Sequence, residues 1–168
     1  TAKFKMQIEL VFTFIVALVI YYVLDIHSIA IPGIAEKIDM GLLYIPVAMF
    51  IMIGSANASN LTDGLDGLAG IIMASAFAAY GVIAQLQGQI YLVRFCFTVV
   101  GASFAFLWYN AHPAELFMGD TGSLALGATL GAVALMTGQW LILPVILLVP
   151  LAETLSVIIQ VAYYKYTK

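Results

Sequence analysis

Two short polar stretches hold most of the residues that could do chemistry. The first is Asn57-Ala58-Ser59-Asn60-Leu61-Thr62-Asp63-Gly64-Leu65-Asp66-Gly67-Leu68-Ala69-Gly70. The second is Asn110-Ala111-His112-Pro113-Ala114-Glu115-Leu116-Phe117-Met118-Gly119-Asp120-Thr121-Gly122-Ser123. Asp63 and Asp66 would face the same way at a helix start, and the glycines let backbone approach a ligand closely. Amide groups at the start of a following helix can contact an anion. A hard cation such as Mg²⁺ takes a few carboxylates together with phosphate oxygens, and Phe117 offers a face for stacking a flat ring. Residues of these types suit metal-assisted chemistry on a phosphorylated ligand.

Plainer readings stand beside this one. Asp and Asn before a helix are ordinary N-caps, and Asp120 could cap the run that follows it. His112 reads as a loop histidine, and Gly127 with Gly131 reads as a helix-packing pair. The stretch from Asp63 is not a calcium-binding EF-hand loop, because Ala74 stands where the bidentate Glu belongs. The Asn57 and Asn60 glycosylation sequons fall on the side assigned below to cytoplasm and are discounted.

The elements that position these stretches are apolar. The chain has 168 residues, 64% hydrophobic, with six Lys/Arg and nine Asp/Glu. So few charges cannot cover a water-facing surface, which excludes a soluble domain. Disorder needs low hydrophobicity, and a basic nucleic-acid patch needs clustered cations; neither is present. Cys96 cannot form an internal disulfide. What remains is an all-α polytopic membrane protein, a single transmembrane region over 1–168 with no soluble domain. At roughly 20 residues per span the length accommodates about six helices. The apolar runs lie near 10–24, 41–56, 67–84, 90–109, 121–136 and 140–164, the last interrupted by Pro144 and Pro150. Pro32-Gly33 marks a turn after the first run. No cleavable leader is visible, and the start reads as the mouth of a membrane helix.

An even number of spans places both termini and both polar stretches on one side. Lys3, Lys5, Lys165 and Lys168 fall there, against Lys37 and Arg94 opposite, so that side is cytoplasmic. Asp63, Asp66, Glu115 and Asp120 also fall there, and neither connection contains Lys or Arg. Such a cluster is costly unless a cation sits in it. Glu153 and Gln160, in the last run, share a helix face, and an intramembrane carboxylate is a functional candidate.

The two stretches together resemble the signature loops of the MraY family, the phospho-N-acetylmuramoyl-pentapeptide transferases of the polyprenyl-phosphate N-acetylhexosamine-1-phosphate transferase superfamily. The resemblance rests on Asn-Leu-Thr-Asp-Gly-Leu-Asp-Gly-Leu-Ala at 60–69 and Phe-Met-Gly-Asp-Thr-Gly-Ser-Leu-Ala-Leu-Gly at 117–127. Glu-Thr-Leu-Ser-Val-Ile-Ile-Gln at 153–160 and the opening Thr-Ala-Lys-Phe-Lys-Met-Gln fit the same pattern. It implies about six helices of a roughly ten-helix family fold, each helix of membrane-crossing length. The family's upstream Asp-Asp pair and downstream histidine motif do not occur here. The resemblance therefore implies an internal fragment, inactive by itself.

The implied reaction transfers phospho-MurNAc-pentapeptide from UDP-MurNAc-pentapeptide to undecaprenyl phosphate, giving lipid I and UMP in peptidoglycan synthesis. It implies Mg²⁺, a homodimer, a bacterial inner membrane and an active site on the cytoplasmic face. Matched by position, Asp120 becomes the Mg²⁺ ligand, and Asp120 with Asp63 the catalytic pair. Asn60, Asp63, Gly64, Leu65 and Asp66 become the nucleotide pocket, with Asp66 at uracil and Asp63 nearer the sugar. Phe117 stacks on uracil, and Asn110 and Gln160 complete the substrate site. Two other readings compete besides a related GlcNAc-1-phosphate transferase. A transporter or channel would use Glu153, Gln160 and Arg94 as a mid-membrane polar path. An intramembrane aspartyl protease would need Asp residues within adjacent spans, whereas Asp63 and Asp66 lie in a loop.

Overall fold

The computed structural model describes residues 2–31 and 38–167. The Pro32-Gly33 turn, Lys37 and Lys168 lie outside the described residues. Seven α-helices account for most of the rest: α1 (Ala2–Leu18), α2 (Tyr44–Thr62), α3 (Leu68–Leu86), α4 (Ile90–Asn110), α5 (Gly119–Met136), α6 (Leu143–Ile146) and α7 (Leu148–Thr167). A widened helical turn, Val19–Val23, continues α1. The segment between α1 and α2 carries a minimal antiparallel ladder, β1 (Ser28–Ile29) with β2 (Ile38–Asp39).

The architecture is all-α and apolar. Among the described residues four helical segments are long and apolar enough to cross a membrane: 3–23, 41–62, 68–86 and 90–110. The sixth apolar run is not one straight span. Its two parts, Trp140–Ile146 and Leu148–Thr167, are bent by 79°, next to the prolines that withhold backbone donors. The fifth run, α5, is not among the four; its first five positions are all Gly, Asp, Thr or Ser. At about 1.5 Å per residue it is still close to the thickness of a bilayer core.

α5 sits where the bundle is thickest. The closest-packed pairs are α2 with α5 and α3 with α4. Met73, Phe77 and Tyr80 of α3, Cys96 of α4 and Leu130 and Val133 of α5 form one core. Ala17, Ile20, Tyr44, Ala48, Met52 and Leu135 form a second, between the end of α1, α2 and α5. Outward-facing apolar residues on α1, α4 and α7, such as Phe12, Phe104 and Val157, are exposed as lipid-facing positions would be.

The Gly127–Gly131 pair is a packing device. A Cβ added at Gly127 would collide with the Ser55 carbonyl and the Ala56 Cα, and one at Gly131 would meet Met52 Cα at 3.0 Å. Removing both side chains lets α2 and α5 run antiparallel at close range. This contact sets the register that brings the end of α2 to the start of α5.

Candidate functional site

The two polar stretches meet at one end of the bundle, and the N-terminal part of α1 joins them. Asn60, in the last turn of α2, donates its amide to Asp120 Oδ1 at 3.0 Å and to Ser123 Oγ at 2.9 Å. Its Oδ1 accepts from Lys5 Nζ at 3.1 Å, and the same ammonium reaches Asp120 Oδ2 at 3.1 Å. Ser123 Oγ in turn donates to the Gly119 carbonyl. Three elements thus converge on the Asp120 carboxylate, which remains open, its side chain 71% exposed.

Asp120 is not a helix cap. It sits in the first turn of α5, where Met118 occupies the N-cap position without a side-chain cap hydrogen bond. Hydrogen bonds from Asn60 and Lys5, with the charge of Lys5, hold its carboxyl below the usual carboxylate range. A carboxylate in the first helical turn also gains from the helix dipole.

Lys5 revises the electrostatic expectation. The two connections lack Lys and Arg, yet α1 places a cation between them. The parity of spans had already put Lys5 on this side; its pairing over 115 residues with Asp120 was not readable from local spacing.

Asp63 and Asp66 do not share a helix face. α2 ends at Thr62, Asp63 is its C-cap residue, and α3 begins at Leu68 after Gly67 turns the chain with φ +74°. The two carboxylates therefore have different neighbours. Asp63 is half-buried, and desolvation raises its carboxyl above the ordinary value. A hydrogen bond from the Gly119 backbone opposes that shift, and the nearby Asp120 charge adds to it. Asp66 pairs with His112 Nδ1 at 2.9 Å and accepts from the Ala114 backbone at 3.3 Å. These contacts, the His112 hydrogen bond first, hold its carboxyl below the usual range.

Asn110 is the clamp between the stretches. It is buried, its Oδ1 accepting from the Gly67 backbone at 3.1 Å and its Nδ2 donating to the Leu116 carbonyl at 2.8 Å. Its polar atoms thus hold the loops rather than face outward. Leu65 and Phe117 are exposed, and Gly64 has open space where a Cβ would stand. They leave a rim on which a flat ring could rest.

Gln160 and Glu153 lie elsewhere, on α7. Gln160 is exposed and bonds Ser156 at 2.9 Å; Glu153 has one buried carboxylate oxygen without a hydrogen-bond partner. Among the described residues no hydrogen bond or ion pair joins either of them to the loops, to Arg94 or to one another.

Sequence reasoning passed over three residues here: Lys5, Ser123 as an acceptor for Asn60, and Glu9. Glu9 Oε2 accepts from Asn57 Nδ2 at 2.9 Å, and its Oε1 is buried without a partner. A carboxylate at the very edge of the first apolar run was the available signal.

Among the described residues no three His, Cys, Asp or Glu side chains form a ready-made metal cage. Mg²⁺ seldom uses one: it is bound through one or two carboxylates plus substrate phosphates and water. The open Asp120 carboxylate, with Asp63 close enough to feel its charge, fits that donor set.

Comparison with known proteins bears on this geometry. The model of glycosyl transferase family 4 matches residues 1–138. A phospho-N-acetylmuramoyl-pentapeptide-transferase of Chloroflexus aurantiacus is 50% identical over 175 residues, covering 100% of this chain and 47% of its relative. The protein of that name from a Wolbachia of Drosophila simulans is 44% identical, covering 100% of this chain and 52% of the relative. That from Borreliella afzelii is 44% identical, covering 99% and 53%. The chain spans about half the length of these curated relatives.

Proposed function

The chain belongs to glycosyl transferase family 4, and from that premise we propose that it carries much of the active site of a membrane phosphosugar transferase of peptidoglycan synthesis. The donor would be UDP-MurNAc-pentapeptide, the acceptor undecaprenyl phosphate, and the products lipid I and UMP. The observation that carries the reading is the convergence of Lys5, Asn60 and Asp120 beside Asp63, at one end of an apolar bundle. A lipid phosphate can reach such a place from the bilayer and a nucleotide from water.

The chemistry asks for little covalent work from the protein. An oxygen of the lipid phosphate forms a bond to the sugar-bearing phosphorus of the donor, and the bond from that phosphorus to the UMP oxygen breaks. Two anions must be held in line and their charge neutralised. Asp120 would hold Mg²⁺, with Asp63 beside it, and the ion would supply charge neutralisation at the phosphates. Lys5 keeps Asp120 ionised and adds a positive charge of its own to the site. Asn60 orients the Asp120 carboxylate. Gly64, Leu65 and Phe117 offer the rim for uracil, and Asp66, held by His112, can accept from its ring N–H. Asn110 fixes the distance between the two loops. Gln160 would reach the substrate only from the free half of α7.

The reading implies a bacterial inner membrane with this end of the bundle at the cytoplasmic face, and a homodimer. In the full-length protein, Asp120→Asn preserves the hydrogen bond from Asn60 but removes the charge. Exchange of labelled UMP into the donor should fall at least about 10²-fold, the scale of removing one transition-state electrostatic contact, while the protein stays folded in detergent. Retained exchange would sink the metal assignment.

A further inference from the structure

The connection from α4 to α5 is a pinned loop. The Tyr109 carbonyl accepts from the Glu115 and Leu116 backbone amides at 2.8 and 3.1 Å, and Asn110 Nδ2 closes the same loop on the Leu116 carbonyl at 2.8 Å. Two groups of this loop end on a single oxygen of Asp66. His112 Nδ1 lies 2.9 Å from Oδ2, and the Ala114 backbone amide donates to it at 3.3 Å. An ionised carboxylate only accepts, so the imidazole hydrogen of this contact stands on Nδ1. Among the described residues no protein donor reaches the other oxygen, Oδ1. The backbone beside Asp66 is tied to the same place, because Asn110 Oδ1 accepts from the Gly67 amide at 3.1 Å.

Folding stability does not account for the pair. The His112 side chain is 85% exposed, and ion pairs this open contribute little to stability. What the contact fixes is a direction. Oδ2 is occupied from two sides, and Oδ1 is left as the acceptor. The loop that holds Asp66 also carries Phe117, whose ring is exposed. One pinned segment thus sets both a stacking face and, through Asp66, a hydrogen-bonding edge for a flat base.

We infer that His112 is a positioning residue for base selection: by holding Oδ2 of Asp66 it presents Oδ1 to the ring N–H of uracil and against the ring of cytosine. This rests on the reading above, in which Asp66 meets the uracil of the donor. Uracil carries a hydrogen on ring nitrogen N3, where cytosine has a lone pair. A fixed carboxylate oxygen bonds the first and repels the second. A carboxylate free to turn presents no constant edge, and the selection fades. Sites built to hydrogen-bond a polar group discriminate strongly against a ligand that lacks it.

The test titrates the full-length protein in detergent with UMP and with CMP by calorimetry. The parent should bind UMP at least about tenfold more tightly than CMP, the scale of one hydrogen bond to a charged group. His112→Ala should weaken UMP about tenfold and leave CMP within about twofold. In turnover it should raise KM for the nucleotide donor by a similar factor, with kcat and the KM for undecaprenyl phosphate within about twofold, the pattern of lost uniform binding. His112→Asn, which keeps an N–H near the place of Nδ1, should recover most of the preference for UMP. Equal weakening of UMP and CMP by His112→Ala, or no recovery in His112→Asn, would reduce His112 to holding the loop together and overturn the inference. A His112→Ala protein that does not fold would contradict the argument from exposure and overturn it too. Asp66→Ala separates the two claims. If it keeps the parent's preference, Asp66 does not read the base, and the inference falls with that reading. If it loses the preference while His112→Ala keeps it, the role of His112 alone is overturned.

Discussion

Gly127→Ala places one methyl group where α2 and α5 touch, and its consequences can be followed into the site. The new Cβ would stand 2.7 Å from Ala56 Cα and closer still to the Ser55 carbonyl, where ordinary contact begins at 3.4 Å. Both obstacles are backbone, so no side chain can swing aside; the helices must part by about 1 Å, an overpacking that costs about 1–3 kcal/mol. One turn toward the loops, Ser123 accepts from Asn60 at 2.9 Å, and Asn60 reaches Asp120 at 3.0 Å. An added 1 Å or so takes both to about 4 Å, well beyond hydrogen-bond range. A 1 Å misplacement at a reacting centre can cost about 10²-fold in rate. The assay is UMP exchange by full-length protein, with thermal unfolding in the same detergent. Gly127→Ala should lower both, whereas Gly101→Ala on α4, where a Cβ has nothing within 4 Å, should lower neither. Wild-type exchange and stability in Gly127→Ala would refute the argument that this contact sets the site's register.

Two further outcomes follow from the site. Lys5→Ala removes a hydrogen bond and a positive charge that, with Asn60, hold the Asp120 carboxyl below its usual range. A depressed carboxyl stays ionised to lower pH, so its release toward the ordinary value should move the acid limb of the pH–rate profile upward. An acid limb that stays in place, or moves down, in Lys5→Ala would show that Lys5 does not control this ionisation. Asn110→Ala leaves the buried Gly67 N–H without its partner and frees the Leu116 carbonyl at the loop edge, so the protein should lose about 1–3 kcal/mol of stability. Unfolding at the wild-type midpoint would mean that water replaces the clamp.

The helical class, the apolar runs and the two reactive stretches were readable from local pattern, because hydropathy over a span is a sum over neighbouring residues. The bend in the last run was only half readable. Pro144 and Pro150 signalled a kink, but its 79° size depends on how Leu143 and Leu147 seat in the core with Phe77 and Leu130. α5 looked like one span among several, and only packing made it the helix on which the bundle closes. The Gly127–Gly131 spacing was recognised as a packing signal, but not which helix it faced.

The side-chain partners were less legible. Asp63 and Asp66, paired by spacing in the sequence, separate in the structure because the chain turns at Gly67 before α3 starts. Asn110 looked like a residue for substrate, and its amide is engaged by backbone on both sides. By itself the sequence determined that carboxylates would gather at one end of an apolar bundle, since alternating spans must return to the same side. Only the tertiary structure decided which charges touch. Lys5 lies 55 residues from Asn60 and 115 from Asp120, and their meeting depends on the register in which α1, α2 and α5 pack. That register is set where glycines let two backbones approach, a contact between distant segments that no local spacing encodes.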